Sequence, residues 1–294
     1  MVAADERTDL VTRNAADRRV TPHQSMWKGL FMTDPQRAAL ITGASAGIGA
    51  AFARHLAAHG YDVLLVARRA GRLEELAAEL RRTHGGRCEV LTADLTNPAT
   101  PTAIIEHAAD IDMPIDVLIN NAGLSASTKF SQNPWDSVAA EIQLMVTATT
   151  ELAHRVIPNM KQRRWGRIIN LSSLAAMGPP GEGLLYTGIK AYVLHMSQSL
   201  DMELKPHGIN VTALCPGFTH SEFHDVMGAR DAADRLPGLL WQNPVDVVRE
   251  GYHAVMAGKP VCIPGTVNKL TAAVVRPLPQ RLHYVLGRDL NPFK

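Results

Sequence analysis

The chain has 294 residues, of which 46% are hydrophobic, and a formal net charge of +2. This composition supplies a large apolar core, and the lack of a long Lys/Arg block argues against a nucleic-acid-binding protein. No apolar run reaches the ~18–20 residues of a membrane-spanning helix, and three well-separated cysteines without metal-ligand spacing are typical of a soluble cytoplasmic protein with no metal site.

The first 37 residues are polar and mixed in charge, and they predict a flexible leader before a folded domain over 38–265. The domain opens with an apolar strand over 38–42, a glycine-rich turn, an amphipathic helix over 47–59 and a buried strand over 61–67. In such a unit, N–H groups at the helix N-terminus bind the pyrophosphate of a dinucleotide. The turn residues predicted to contact this cofactor are Gly43, Ser45, Gly47, Ile48 and Gly49.

The end of the second strand indicates which dinucleotide is bound. NAD enzymes place an Asp or Glu there to bond the ribose 2′-OH, whereas this strand ends in Ala67-Arg68-Arg69. A guanidinium group suits a 2′-phosphate, so the sequence predicts NADP(H) with Arg68 at the phosphate. The alternative is that both arginines are solvated residues at the start of the next helix.

Strands and helices continue to alternate as far as residue 263. Further strands are predicted at 88–92, 115–119, 167–171, 209–214 and 261–263, and helices near 72–83, from Asn97-Pro98, over 133–161, 184–205 and 243–256. Repeated units of this kind form one α/β domain, a doubly wound (Rossmann) parallel sheet with helices on both faces. The candidate functional residues follow the carboxyl ends of strands, the edge where such sheets bind ligands.

Ser173, Tyr186 and Lys190 lie in one short segment after the fifth strand. Tyr186 and Lys190 are four residues apart and share a face of the predicted helix. A nearby ammonium favours the phenolate and lowers the pKa of the phenol, and such a phenol exchanges a proton with a carbonyl or alcohol oxygen. Taken alone, Tyr-x-x-x-Lys is a weak signal that more often marks an ordinary helix face.

Four motifs occur in order and at regular intervals: T-G-x-x-x-G-x-G at 42–49, N-N-A-G at 120–123, Ser173 with Y-x-x-x-K at 186–190, and Pro216-Gly217. Over 38–265 the chain therefore resembles the short-chain dehydrogenase/reductase family. The resemblance implies an NADP(H)-dependent enzyme that transfers a hydride between nicotinamide and a ketone or alcohol. Tyr186 would be the general acid/base, Ser173 would orient the substrate oxygen, and Lys190 would lower the pKa of Tyr186 and bind the nicotinamide ribose.

The resemblance also implies further cofactor contacts and an assembly. The adenine would lie at Asp94 and Leu95, the inner ribose at Asn121, Ala122 and Gly123, and the nicotinamide near Pro216, Gly217 and Thr219. A homodimer or homotetramer would form through the two long helices near 135–161 and 184–205.

One position departs from the family pattern. Counted back from Pro158, which often ends the preceding helix in this family, the Asn that holds a water in the proton relay is replaced by Met145. A thioether is no hydrogen-bond donor and a poor acceptor. This leaves open a catalytically weak or inactive NADP-binding sensor or scaffold of the same fold, and also an isomerase or dehydratase, because function is decided by the site and not by the fold.

Residues 218–242 form a predicted lid over the substrate. Its apolar residues are Phe218, Phe223, Met227, Leu236, Leu239, Leu240 and Trp241. They favour a small hydrophobic carbonyl or alcohol as substrate, although they could equally cover the core. The extension over 266–294 combines arginines, apolar residues and prolines; we expect it to pack on the substrate side, with an oligomer interface or a membrane surface as alternatives.

Overall fold

The computed structural model describes residues 36–124, 130–181, 183, 185–222 and 237–289. These residues form a seven-stranded sheet in which every neighbouring pair is parallel, in the order β3-β2-β1-β4-β5-β6-β7. The strands are β1 (Ala38–Thr42), β2 (Asp62–Ala67), β3 (Cys88–Thr92), β4 (Ile115–Asn120), β5 (Gly166–Leu171), β6 (Ile209–Leu214) and β7 (Val261–Cys262). The predicted doubly wound parallel sheet is confirmed, and its winding reverses between β1 and β4.

The central strand β1 is apolar along its whole length because both of its faces are covered. Ala39 and Ile41 contact one core cluster, whereas Ala38 and Leu40 contact the cluster on the opposite face. Successive side chains of a strand point to opposite faces, so a strand buried on both sides is apolar at every position and not only at alternate ones.

Helices cover both faces of the sheet. They are α1 (Gly47–Ala58), α2 (Ala70–His84), α3 (Thr100–Asp110), α4 (Trp135–Ile142), α5 (Thr149–Arg163), α6 (Tyr186–Leu204), α7 (Pro244–Met256), α8 (Thr266–Val275) and α9 (Gln280–Asp289). On one face α1, α2 and α7 contribute core residues such as Phe52 and Leu73. On the other, α3, α5 and α6 contribute residues such as Ile104 and Leu152.

One helix begins later than predicted. The helix expected at Asn97-Pro98 begins at Thr100, because the Asn97 side chain accepts a hydrogen bond from the N–H of Ala99 and forms a turn there. The predicted long helix continues past Pro158, which lies inside α5. Val156 and Met160 are buried on either side of Pro158, and this packing outweighs the hydrogen bond that an interior proline removes.

Between α4 and α5 the helix widens into a π-helical segment, Gln143–Ala148. Leu144, Met145 and Ala148 of this segment are buried in the core cluster that also contacts α6. Such segments are rare and are frequently found at functional sites. The sequence predicted one unbroken helix here.

The C-terminal extension packs against the segment that follows β5, as its prolines led us to expect. Ala272 of α8 shares a core cluster with Met177 and Cys215, and Gly287 of α9 lies against Pro180. None of the helices in the described part of the chain is both long and apolar enough to cross a membrane. The predicted leader up to residue 35 and the middle of the lid, 223–236, lie outside the described residues.

Candidate active site

The carboxyl ends of β1 and β4 are tied together at the predicted cofactor site. Thr42 Oγ1 accepts hydrogen bonds from the N–H groups of Asn121 and Ala122, both at 3.0 Å. Asn121 Nδ2 donates to the carbonyl oxygens of Thr42 (2.9 Å) and Gly43 (3.2 Å). Gly43 has φ +66°, and a Cβ there would lie 2.7 Å from Asn121 Nδ2. The glycine-rich turn and the N-N-A-G segment therefore hold each other in place.

The N-terminus of α1 has the geometry of a phosphate site. Ala46 is the N-cap residue and provides no side-chain hydrogen bond to the first turn. An anion can therefore accept hydrogen bonds from the N–H groups of that turn. Gly47 has φ +54°, a conformation that other residues rarely adopt. These residues fit the pyrophosphate of a dinucleotide.

Arg69, and not Arg68, is the arginine that reaches the glycine-rich turn. Its Nε and Nη2 lie 3.2 and 3.0 Å from Ser45 Oγ. Arg68 is exposed and lies close enough to Asp94 to help the hydrogen bonds from Thr96 lower the pKa of that carboxyl. These contacts support Arg69 as the ligand of the 2′-phosphate better than they support the predicted Arg68.

The carboxylate of Glu222 lies between two guanidinium groups beside this turn. It accepts a hydrogen bond from Arg69 Nη1 at 2.7 Å and another from Arg72. The adjacent Ser221 contacts the turn, since a Cβ on Gly47 would lie 2.9 Å from Ser221 Cβ. The start of the lid thus places an anionic group where the sequence predicts a phosphate.

Ser173, Tyr186 and Lys190 are brought together at the ends of β5 and β6. The side chains of Tyr186 and Ser173 are hydrogen-bonded. Lys190 Nζ donates to the carbonyl oxygen of Leu171 at 2.8 Å and lies 5.4 Å from the centre of the Tyr186 ring. Ser172 donates to the carbonyl oxygen of Lys190 at 2.7 Å, which fixes the first turn of α6 to β5.

The sequence analysis expected Lys190 to lower the pKa of Tyr186, whereas the pKa of Tyr186 in this structure is raised. Burial raises the pKa of Tyr186 to about 12, and the hydrogen bond from Ser173 is the effect that opposes it. Burial also lowers the pKa of Lys190 to about 8. Lys190 Nζ donates to a backbone carbonyl and lies over the ring of the tyrosine.

A buried hydrogen-bond network behind the site escaped the sequence analysis. Asn120 Nδ2 donates to Asn170 Oδ1 (2.9 Å) and to the carbonyl oxygen of Thr149 (3.0 Å). Asn170 Nδ2 donates in turn to Ser197 Oγ at 3.0 Å. The network joins β4, β5, α5 and α6. Its only signal in the sequence was an asparagine near the end of each of two largely apolar strands.

The sequence analysis also missed Glu141. It lies in the last turn of α4 and is only 3% exposed. Burial raises the pKa of its carboxyl, and the charge of Lys190 opposes this shift. An acidic residue between Ala140 and Ile142, on the inner face of a helix, was the available signal.

The remaining predicted cofactor contacts lie along the edge of the sheet formed by the carboxyl ends of its strands. Leu95 and Thr219 are buried, and Thr219 Oγ1 donates to the carbonyl oxygen of Gly217 at 3.1 Å. The Pro216 carbonyl oxygen accepts a hydrogen bond from the N–H of Leu174 at 2.9 Å, which joins this loop to the segment that follows β5. The described residues include no group of three or more His, Cys, Asp or Glu side chains arranged for a metal ion.

The two described ends of the lid are bonded to each other. The N–H of Gln242 donates to the carbonyl oxygen of Phe218 at 2.8 Å, and the N–H of His220 donates to that of Gln242 at 3.0 Å. The rings of His220 and Trp241 are stacked with centroids 4.8 Å apart. The predicted lid residues Phe223, Met227 and Leu236 lie outside the described residues.

The sequence matches known proteins over most of its length. The family model of the short chain dehydrogenases matches residues 37–231. Nodulation protein G of Rhizobium sp. (strain N33) is 33% identical over 260 residues, which cover 87% of this chain and 94% of that protein.

Solved structures agree with this match. A short-chain dehydrogenase from Sphingobium yanoikuyae in complex with NADPH has a TM-score of 0.73 at 34% identity, over 83% of this chain and 96% of that one. The bulky-bulky ketone specific alcohol dehydrogenase from Comamonas testosteroni has a TM-score of 0.68 at 31% identity, over 83% and 95%. Because the family model, the aligned relatives and the fold agree, the chain belongs to the short-chain dehydrogenase/reductase family and is a nicotinamide-dependent oxidoreductase.

Proposed function

We propose that this chain is an NADP(H)-dependent carbonyl reductase or alcohol dehydrogenase for hydrophobic substrates. The cofactor, when bound, supplies or accepts the hydride. Tyr186 donates a proton to the carbonyl oxygen in reduction or accepts it in oxidation, and Ser173 holds the same oxygen. The observation that carries the proposal is the hydrogen bond between Tyr186 and Ser173, with Lys190 buried beside them.

The local geometry supports these roles. The Oγ atom of Ser173 accepts a hydrogen bond from the N–H of Ala175 at 3.1 Å, which leaves the hydroxyl hydrogen for the tyrosine or a substrate oxygen. The high pKa of Tyr186 keeps its phenol protonated at neutral pH, the form required of the acid in reduction. For Lys190 we propose contact with the nicotinamide ribose as well.

Charge beside the glycine-rich turn supports NADP(H) in preference to NAD(H). Arg69, Arg72 and Ser45 lie within one cluster of hydrogen bonds, and an arginine pair of this kind suits a 2′-phosphate. A relative at 34% identity was solved in complex with NADPH. We therefore propose that Arg69 and Arg72 bind the 2′-phosphate, with Arg68 as a further contributor.

Apolar side chains on the substrate side support a hydrophobic carbonyl compound. Met177 and Leu194 share a cluster behind Ser173, and Phe218 lies 5.8 Å from Trp241 at the base of the lid. The relative from Comamonas testosteroni is specific for bulky-bulky ketones. Ketones with two large apolar substituents are accordingly the first compounds to assay.

Met145 favours a second candidate, a weak or inactive NADP-binding sensor. Its side chain is 1% exposed within the core cluster, so it offers no hydrogen bond to a proton relay. The intact serine, tyrosine and lysine weigh against this candidate.

One experiment separates the two candidates. NADPH consumption is measured with a panel of apolar ketones and aldehydes for the natural chain and for Tyr186→Phe, with NADPH binding titrated in parallel. We expect turnover that falls at least a hundredfold in the variant while NADPH affinity is kept. NADPH binding without turnover on any compound would favour the sensor, and NADH binding without NADPH binding would refute the cofactor assignment.

We further propose assembly into a homodimer or homotetramer through α5 and α6. Met202 is 73% exposed and Tyr192 is 40% exposed on α6, so both apolar side chains are accessible to such an interface. Light scattering of the natural chain and of Met202→Glu tests the assignment. A monomer in both cases would contradict it.

A further inference from the structure

The first turn of α8 places a buried amide against the loop that follows β6. Asn268 is only 5% exposed, and its helix lies in the C-terminal extension, beyond the residues that the family model matches. A Cβ on Gly217 would lie 2.5 Å from Asn268 Oδ1 and 2.7 Å from Asn268 Nδ2. Only glycine at position 217 therefore lets the amide come this close to the backbone of the loop.

The same amide is bonded to the end of the lid segment. Asn268 Nδ2 donates to Gln242 Oε1 at 2.7 Å and to the carbonyl oxygen of Pro264 at 3.0 Å. The backbone of Gln242 is in turn bonded to Phe218 and His220 at the start of the lid segment. One side chain of α8 thus joins the loop after β6 to the point where the lid segment ends.

The loop that Asn268 contacts is also bonded to the segment of the catalytic serine. The carbonyl oxygen of Pro216 accepts a hydrogen bond at 2.9 Å from the N–H of Leu174, the residue after Ser173. The family resemblance implies that the nicotinamide lies near Pro216 and Gly217. A displacement of this loop would therefore be felt at the nicotinamide and at Ser173.

The hydrogen bonds of the Asn268 amide serve its neighbours and not its own helix. Both bonds of Nδ2 leave α8, since Gln242 and Pro264 precede that helix. A buried helix position is filled at lower cost by an apolar side chain, as Ala272 does one turn later. The amide is thus suited to fixing the relative positions of two segments beside the active site.

We propose that Asn268 is a positioning residue that holds the Pro216-Gly217 loop in place along the nicotinamide, with Gln242 as its partner. The proposal rests on the proposed function for its catalytic meaning. Hydride transfer requires close alignment of the nicotinamide ring with the carbonyl carbon, and a misplacement of about 1 Å can slow a reaction about a hundredfold.

Cofactor binding tests the positioning role without turnover. NADPH and 2′-phospho-ADP-ribose, which has the same phosphates but no nicotinamide, are titrated against the natural chain and Asn268→Leu. We expect about fivefold weaker NADPH binding in the variant and unchanged binding of the fragment, because the loop faces only the nicotinamide end.

Asn210→Leu is the matched control. Asn210 lies at the opposite end of β6, and its Nδ2 donates to the carbonyl oxygen of Val255 at 2.9 Å. The control variant therefore also loses a side-chain hydrogen bond to another element, and it should keep both affinities.

Single-turnover kinetics test the catalytic meaning. The complex with NADPH is mixed with excess ketone, and the first turnover is followed by the loss of NADPH absorbance. We expect hydride transfer about tenfold slower in Asn268→Leu, slower in Gln242→Leu, and no slower in the double variant than in Asn268→Leu, because both side chains act through one bond. Asn210→Leu keeps the natural rate, whereas a merely structural role would slow both asparagine variants alike.

Unfolding in urea without cofactor tests the contact itself. Gly217→Ala inserts a Cβ against the Asn268 amide and should lower the midpoint of unfolding in the natural chain. In Asn268→Ala the space beside residue 217 is free, so the same change should hardly lower the midpoint further.

The outcomes are distinct. Equal losses for NADPH and the fragment in Asn268→Leu, an unchanged rate of hydride transfer, or additive effects of Gly217→Ala and Asn268→Ala would each overturn the proposal. Coupled unfolding and a selective loss of NADPH binding, in a chain that reduces no carbonyl compound, would refute the proposed function and still support positioning by Asn268.

Discussion

Replacement of Glu222 by glutamine is expected to strengthen NADPH binding and to leave NADH binding unchanged. The Glu222 carboxylate is bonded to both Arg69 and Arg72 beside Ser45. Any 2′-phosphate that binds between these arginines has to displace it. Glutamine keeps the size of the side chain but has no charge. In the variant, the two arginines therefore give up less interaction energy with residue 222 when they bind the phosphate.

The structure sets the size of the effect. The side chains of Arg69 and Glu222 are 45% and 41% exposed, and exposed ion pairs contribute only ~0.2–1 kcal/mol each. Loss of two such pairs, about 1 kcal/mol together, corresponds to an approximately fivefold lower Kd for NADPH. The hydrogen bonds from Arg72 and Arg69 lower the pKa of Glu222, so the carboxylate stays ionised and the effect persists at neutral and alkaline pH.

The assay is a fluorescence titration of NADPH and of NADH against the natural chain and Glu222→Gln at low and high salt. Glu79→Gln removes a comparable exposed ion pair, with Arg54, and serves as the matched control without effect on either Kd. Equal or weaker NADPH binding by Glu222→Gln, or an equal gain for NADH, would refute the idea that Glu222 competes with the phosphate.

Three further changes test other parts of the molecule. Asn120→Leu leaves Asn170 Oδ1 without its donor and should lower the free energy of unfolding in urea by ~2–4 kcal/mol. Gly43→Ala places a Cβ at positive φ against Asn121 and should weaken NADPH binding in titrations, whereas exposed Gly71→Ala should not. Burial lowers the pKa of His55 to about 4, so protonation of the unfolded chain reduces stability as pH falls from about 6.5 to about 4; His55→Leu should show a smaller loss between pH 7 and 5, and an equal loss would exclude this cause.

Local patterns in the sequence predicted the fold and the candidate catalytic residues. Apolar runs predicted strands such as 38–42 and 88–92, and helical periods predicted the helices. Both work because the burial of one face of a strand or helix depends on residue spacing within that element. The sequence also predicted that Ser173, Tyr186 and Lys190 lie at the ligand-binding edge, because the carboxyl ends of parallel strands share one edge of the sheet.

The tertiary structure decided the electrostatics of the site. Arg69 rather than Arg68 reaches Ser45, and its partner Glu222 lies 153 residues further along the chain. Glu141 and Tyr186 have raised pKa values because both side chains are buried when the chain folds. Residue spacing specifies which side chains share an element, but desolvation and long-range charge pairs arise only when separate elements pack together.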